Sequence, residues 1–317
     1  MIEFLAALID PSLPFFRYAV LTGIFASIPF GVIGTYVVVR RISYIAGAIS
    51  HCILGGVGAG LYLQNALGIS WFGPLHGAIV VALLASLILA MVSMHAKQRE
   101  DSVIGALWSV GMAAGLLFIA KTPGYSDPMS YLFGNILLIT RTDFYLVLAL
   151  DVLVVGIIGF FYNTFLAICF DEEYAQLRGI RTHWLYLLLL CLVAMTIVLL
   201  VRIVGIVMVI ALLTLPAAIA GNFARNILQM MVLSTIFCIL FVILGLGTSY
   251  SLDLPSGPVI ILFAAAAYLL ALLGLLALHR RLLYVAVTRA RDESIVTWVG
   301  KPSPFLAPLL SSGEFKP

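Results

Sequence analysis

The sequence predicts an all-α, polytopic integral membrane protein with about eight or nine transmembrane helices. Hydrophobic residues make up 63% of the 317 residues, whereas charged residues make up only 10%. Soluble domains carry roughly 25% charged residues, so this chain lacks the polar groups to cover a surface in water. The apolar residues also fall into separate runs, several of them near the roughly 20 residues that cross a bilayer.

The apolar runs divide the chain into an N-terminal segment, a membrane domain over residues 18–278 and a tail. Single spans are predicted at Tyr18–Val39, Ile45–Leu63, Ala78–Met94, Val103–Ala120, Phe144–Phe161, Leu228–Leu246 and Val259–Leu278. The block Trp184–Ala220 is too long for one crossing and is interrupted by Arg202 and Gly205, so we predict two crossings joined by a tight turn. Nine crossings result. A position at the membrane surface is one option for residues 1–17, and we expect residues 279–317 to be a flexible cytoplasmic tail.

The basic residues favour one orientation in the membrane. If the first span ends in the cytoplasm, the cytoplasmic loops hold Arg40, Arg41, Lys97, Arg99, Arg178, Arg181, Arg225, Arg280 and Arg281, and the outer loops hold Arg17, Lys121, Arg141 and Arg202. This excess agrees with the positive-inside rule and predicts an outer N-terminus. The net charge of +3 is small, so no nucleic acid partner is expected.

His51 is the main candidate functional residue. It lies in a glycine-rich predicted span, and from Ile45 to Leu63 the chain has no Asp, Glu, Lys or Arg. An ionisable group in hydrocarbon is costly and usually faces a cavity or a translocation path. Imidazole is also the commonest metal ligand among side chains. These facts predict a pathway residue that contacts a metal ion; the alternative is a neutral ring hydrogen-bonded to a neighbouring helix.

Two further residues are weaker candidates for the same pathway. Ser50 flanks His51 but points away from its face of the helix. Asp253 lies on the predicted outer side, where it can attract cations, although capping a turn before Pro255 is its plainer role.

The most polar connection of the membrane domain, Asp171–Thr182, lies on the predicted cytoplasmic side. It is read as a short amphipathic helix ended by Gly179, a common signal for a helix C-terminus. Two interpretations stay open: a solvated loop, or a docking surface for a soluble partner.

No phosphate-binding loop of the type GxxxxGK[ST] occurs in the sequence. The chain therefore cannot bind nucleotide by that route, and we expect it not to be an enzyme itself.

An ordered series of motifs resembles the permease subunits of ABC importers for zinc, manganese or iron. The motifs are Val38–Ser43 with Gly47–His51, Glu100–Asp101 with Ile104–Gly105, Leu132–Leu137, Phe170–Asp171 with Ala175 and Gly179, Val204–Leu213 with Pro216–Ala220, and Asp253–Pro258. Each motif is weak alone, but their order over about Gly31 to Leu272 is specific.

The resemblance implies a location in the bacterial cytoplasmic (inner) membrane and a set of partners. It implies a transmembrane unit of two permeases, identical or related, with two cytoplasmic ATPases and an external metal-binding protein. It makes the region Pro216–Asn226 a candidate coupling helix that contacts the ATPase, with Asp171–Thr182 as a second contact. The residues expected to contribute are Pro216, Ala217, Ala220, Asn222, Arg225, Asp171, Ala175 and Gly179.

The sequence departs from the family's pattern at one position. Many members have an aspartate one helical turn before the histidine, where both side chains can share a cation. Here that position is Gly47. A lone imidazole cannot dehydrate a divalent ion well, so another residue supplies oxygen or the site holds the ion only briefly.

The sequence thus predicts a permease of an ATP-driven importer for zinc, manganese or iron, which works by alternating access. The metal would be the transported substrate, and no tightly bound cofactor is expected. One alternative is a permease for an iron chelate or a vitamin, which needs a wider cavity. The other is a stand-alone secondary cation carrier, although such carriers usually show interrupted helices in matching repeats.

Overall fold

The computed structural model describes residues 14–95, 99–123, 132–134 and 139–288, and within these ranges the chain is helical and has no strand. The helices are α1 (Pro14–Val39), α2 (Ser43–Asn65), α3 (Pro74–His95), α4 (Glu100–Lys121), α5 (Arg141–Phe160), α6 (Tyr162–Phe170), α7 (Glu172–Leu177), α8 (Thr182–Val204), α9 (Ile206–Gly221), α10 (Ile227–Leu252) and α11 (Ser256–Thr288). The predicted all-α class is confirmed.

Eight of these helices are long and apolar enough to cross a membrane: α1 to α5, α8, α10 and α11. Helix α9 is also apolar but has only 16 residues. The predicted nine crossings therefore correspond to eight full-length candidates and one shorter helix, all within the described ranges.

The long apolar block breaks at Gly205, as the sequence predicts. Gly205 separates α8 from α9 and has φ +83°, a conformation that favours glycine. A methyl group there would also meet the backbone of Leu132 and Phe133. Gly205 is thus required both by its own conformation and by the close approach of another segment.

Helices α2, α3 and α4 pack through small residues. Helix α2 contacts both α3 and α4, and its glycines face glycines of those helices. A methyl group at Gly55 would lie 2.9 Å from the carbonyl oxygen of Gly111, and one at Gly58 would lie 2.5 Å from that of Gly115. Small residues allow such close backbone contact between membrane helices. Helix α2 is therefore mostly buried and held close to its neighbours.

The remaining membrane helices pack against one another in a second group. Helix α1 packs against α5, α9 and α10, and α8 contacts α1, α2, α3 and α5. Helix α8 thus joins the glycine-rich helices to the rest of the membrane domain.

Two cavities lie at opposite ends of the predicted crossings. One, of about 740 Å³, is lined by loop residues predicted to lie outside, among them Ser70, His76 and Thr140. The other, of about 600 Å³, is lined by residues predicted to lie in the cytoplasm, among them Arg40 and Glu100. Loops that the positive-inside rule assigns to the same side thus lie together.

The chain divides into two compact units, one up to Ala266 and one from Ala267. The described part of the second unit is the continuation of α11, which runs to Thr288 and so extends ten residues past the predicted end of the membrane domain at residue 278. Residues 1–13 and 289–317, which contain most of the predicted N-terminal segment and tail, lie outside the described residues.

Candidate functional site

His51 lies in the middle of α2. Its ring is partly exposed, and its Nδ1 atom is buried without a hydrogen-bond partner among the described residues. The hydroxyl of the neighbouring Ser50 donates to the carbonyl oxygen of Ala46, 2.8 Å away in the same helix. Ser50 is fully buried, and its hydroxyl is satisfied by the backbone of its own helix.

An aromatic side chain of α4 contacts His51. The indole of Trp108 stacks on the imidazole, with ring centroids 4.2 Å apart and planes inclined by 20°. Sequence reasoning missed Trp108. The available signal was the small residues of α2 and α4, which predict close packing and hence contact between a large α4 side chain and α2.

Trp108 also covers Gly47, the residue one turn before His51. A methyl group at Gly47 would lie 2.9 Å from the Cζ3 atom of the indole, closer than side chains normally approach. The indole thus occupies the space beside Gly47 and the face of His51 at the same time.

His51 also lies between the two cavities along α2. Ile45, nearer the start of the helix, lines the cytoplasmic cavity, whereas Ile53 and Val57 line the outer one. With a rise of about 1.5 Å per residue, His51 is within roughly 10 Å of the lining residues on both sides.

Asp253 is placed apart from the level of His51. It ends α10 in a left-handed conformation, with φ 53°, and is exposed. Among the described residues no group of three or more His, Cys, Asp or Glu side chains is arranged to hold a metal ion. His51 is thus joined by an aromatic ring, and the roles predicted for Asp253 and Ser50 in the pathway stay predictions.

The predicted coupling residues of α9 separate into buried and exposed positions. Pro216, Ala217 and Ala220 are buried, and both alanines pack with Met230 of α10. The following turn is exposed and contains Asn222 and Arg225. The buried residues therefore support the turn, while the turn itself forms the surface.

The polar connection after α6 forms the short helix α7. Asp171 caps α7 by accepting a hydrogen bond from the backbone N–H of Tyr174 at 2.9 Å, and Gly179 follows with φ +78°. Ala175 is fully buried, whereas Glu173 and Leu177 are exposed. The predicted amphipathic helix is thus present, with one face against the protein and one free.

Arg40 connects this helix to the end of α1. Its guanidinium donates to the carbonyl oxygen of Ile168 at 2.8 Å, pairs with Glu172 at 3.1 Å and lies 5.4 Å from the ring centre of Tyr186. Nearby, burial raises the pKa of the Cys169 thiol to about 11, despite the opposing effect of Arg40, so this thiol is neutral at physiological pH.

The fold and this site define a class: a multi-pass membrane permease whose helices enclose a partly exposed histidine between two cavities. The chain belongs to the ABC 3 transport family, whose profile matches residues 12–274. This match spans most of the membrane domain and confirms the resemblance carried by the motifs. It also agrees with a location in the bacterial cytoplasmic membrane.

Individual relatives agree with this assignment. The chain is 40% identical to a probable metal transport system membrane protein of Chlamydia trachomatis, over 86% of this chain and 92% of that protein. It is 30% identical to the manganese transport system membrane protein MntC of Listeria monocytogenes, over 82% and 90% of the two chains. The solved structure of PsaBC from Streptococcus pneumoniae in complex with Fab superposes with a TM-score of 0.76, at 31% identity, over 86% of this chain and 95% of that chain.

Proposed function

We propose that this chain is the membrane-spanning subunit of an ATP-driven importer for a divalent transition metal: manganese, zinc or iron. The observation that carries the proposal is His51, the one ionisable side chain from Ile45 to Leu63 besides Cys52 and Tyr62. Relatives whose names specify metal or manganese transport support the same substrate class.

The proposed path runs from the outer cavity past His51 to the cytoplasmic cavity. A neutral imidazole exchanges with the water ligands of an entering ion and holds it only briefly, as transport requires, because an ion held firmly would not leave. The cytoplasmic cavity carries the carboxylates of Glu100, Asp101, Glu172 and Glu173. The same cavity is lined by the guanidinium groups of Arg40 and Arg41, so the carboxylates outnumber these groups by four to two and leave a negative charge that favours the exit of a cation on that side.

The proposed partners supply the functions that this chain does not carry out itself. ATP hydrolysis takes place on separate cytoplasmic subunits, which contact the exposed turn Asn222–Asn226 and the free face of α7. A metal-binding protein delivers the ion to the outer cavity, and a second permease, identical or related, completes the path. Large apolar side chains exposed on α4, such as Val110 and Leu117, suit contact with that subunit or with lipid.

The test is uptake of radioactive manganese, zinc and iron in cells that lack their own importers. The chain is expressed with its neighbouring ATPase and binding protein, as wild type, His51→Ala and the control Ser50→Ala. We expect ATP-dependent uptake of one or more metals, reduced at least about tenfold in His51→Ala by loss of the ligand and little changed in Ser50→Ala. Unchanged uptake in an assembled His51→Ala complex would reduce His51 to a packing residue.

A permease for an iron chelate is the second candidate. The outer cavity of about 740 Å³ has the size of sites for small molecules, and no carboxylate stands beside His51 at Gly47. Uptake of a labelled chelate with no uptake of the free ions would favour this candidate. Membership of the ABC 3 transport family favours either importer over a stand-alone carrier.

A further inference from the structure

The stack of Trp108 on His51 has a consequence for access to the proposed pathway. Since Nδ1 of His51 has no hydrogen-bond partner among the described residues, no such bond at that atom sets the orientation of the ring. The indole, with its centroid 4.2 Å away and its plane nearly parallel, stacks on the imidazole and favours this orientation. Both residues are partly exposed, so the indole covers one face of an imidazole that is accessible in part, although its Nδ1 atom is buried.

The position of the indole is set by the packing of α4 against α2. The thiol of Cys52 donates to the carbonyl oxygen of Leu107 at 3.1 Å, directly before Trp108. One turn further along α4, Gly111 lies so close that a methyl group there would come within 2.6 Å of the Cα atom of Cys52. These backbone contacts leave α4 little freedom to slide, so Trp108 stays level with Gly47 and His51.

The position of the Trp108 indole therefore depends on having glycine at position 47. A side chain at position 47 would meet the outer edge of the indole and not backbone, so the indole would move. Any such movement breaks the stack on His51. The carboxylate that the family resemblance expects at position 47 cannot coexist with the indole in this position.

We propose that Trp108 is a positioning and specificity-determining residue: its indole covers His51 and excludes a second ligand at position 47. This inference rests on the proposed function. The site then offers a transported ion one imidazole and an aromatic wall in place of an imidazole–carboxylate pair. Such a site lacks the charged oxygen ligand that manganese prefers, and it discriminates by imidazole affinity and by the space the indole leaves.

The first test measures the accessibility of His51 without measuring transport. The assembled permease–ATPase complex is treated with diethyl pyrocarbonate, and modification of His51 is followed by peptide mass spectrometry. We expect Trp108→Ala and Gly47→Ala each to raise the modification rate about fivefold, as loss of a stacked aromatic pair implies. The double variant should equal Trp108→Ala alone, because Gly47 acts through the indole.

The controls separate this effect from general disturbance of α4. Trp108→Phe keeps an aromatic ring on His51 and should restore protection. Gly105→Ala adds a methyl group one turn away, where nothing lies within 4 Å, and should leave the rate unchanged. Equal rates in wild type and Trp108→Ala, or additive effects of the two substitutions, would overturn the proposal.

The second test measures selectivity by the ratio of manganese to zinc uptake. Gly47→Asp combined with Trp108→Ala places a carboxylate one turn before His51 with room to contact the same ion. We expect the ratio to rise about tenfold in the double variant, since oxygen ligands suit manganese. In Gly47→Asp alone the rise should be less than half as large, because the displaced indole still takes up space next to the carboxylate and His51. The same rise in Gly47→Asp alone would show that the indole excludes nothing. If wild type carries no free metal, the proposed function fails, whereas the modification rates still decide the role of Trp108.

Discussion

Two parts of the molecule use glycine and polar residues in opposite ways. In the glycine-packed group, α2 to α4, glycine backbones of neighbouring helices touch along the crossings, and His51, inside the apolar helix α2, stays partly exposed. In the end-tied group, α5 to α7, Gly156 and Gly159 have nothing within 4 Å, and Asp151, inside the apolar helix α5, is only 6% exposed. This second group is held instead by polar contacts at its two ends.

The comparison shows that the role of a glycine or of an ionisable residue in an apolar helix depends on what surrounds it. A glycine is required where it faces another backbone and dispensable where it faces open space. An ionisable group is available to a substrate where its surroundings leave it partly exposed. It is closed off where the protein buries it.

The largest expected effect comes from breaking the glycine-packed group with Gly56→Ala. A methyl group there would lie 2.7 Å from the carbonyl carbon of Gly77 and 2.9 Å from the Cα atom of Ala78, and backbone cannot move aside easily. We expect a loss of about 3 kcal/mol, the upper range for overpacking, with a matching loss of assembled protein. Thermal unfolding in detergent and the yield of assembled complex measure it.

Gly156→Ala is the matched control in the end-tied group. The same added methyl group meets nothing there, and alanine favours a helix by up to about 1 kcal/mol over glycine. Equal losses in the two variants would refute the contrast between the groups.

The second-largest loss of stability is expected from Arg40→Ala, which removes the polar contacts at the cytoplasmic end of the end-tied group. The substitution leaves the carbonyl oxygen of Ile168 without its charged donor, a loss of about 1.5–3 kcal/mol. Glu172 is 39% exposed, so its ion pair adds little to this loss. Hydrogen exchange in α6 and α7 should rise, and much less so in Glu172→Gln. A rise of similar size in both variants would make the ion pair the main tie.

A stabilising effect is expected at Asp151. Both carboxyl oxygens are buried and have no hydrogen-bond partner among the described residues, which is unfavourable for a polar group. Asp151→Leu should therefore raise the stability by about 1–2 kcal/mol, whereas Asp151→Asn should change it little. Thermal unfolding measures this, and a loss of stability in Asp151→Leu would reveal a partner for the carboxyl group.

The sequence predicted the membrane class, the break at Gly205 and the amphipathic helix after α6, because each depends on local composition. It also predicted that the side chains of His51 and Ser50 lie on different faces of the helix, since neighbouring residues on a helix point in different directions. It did not predict Trp108, because that contact depends on the register between α2 and α4, which no local pattern fixes. For the same reason the burial of Ala217 and Ala220 was not foreseen: it arises from packing against α10.

The smallest expected effect comes from releasing the outer end of the end-tied group with Thr140→Ala. The hydroxyl of Thr140 accepts from the backbone N–H of Asp143 at 3.3 Å, and the Asp143 carboxylate accepts from the backbone N–H of Thr140 at 3.1 Å, so the two form a capping box for α5. Losing the threonine side of the box should cost about 1 kcal/mol, measured by thermal unfolding. Thr140→Ser keeps the hydroxyl and should retain most of the stability. Because Thr140 also lines the outer cavity, uptake is measured in parallel: lower uptake in Thr140→Ala at unchanged stability would assign the hydroxyl to the path and not to the helix end.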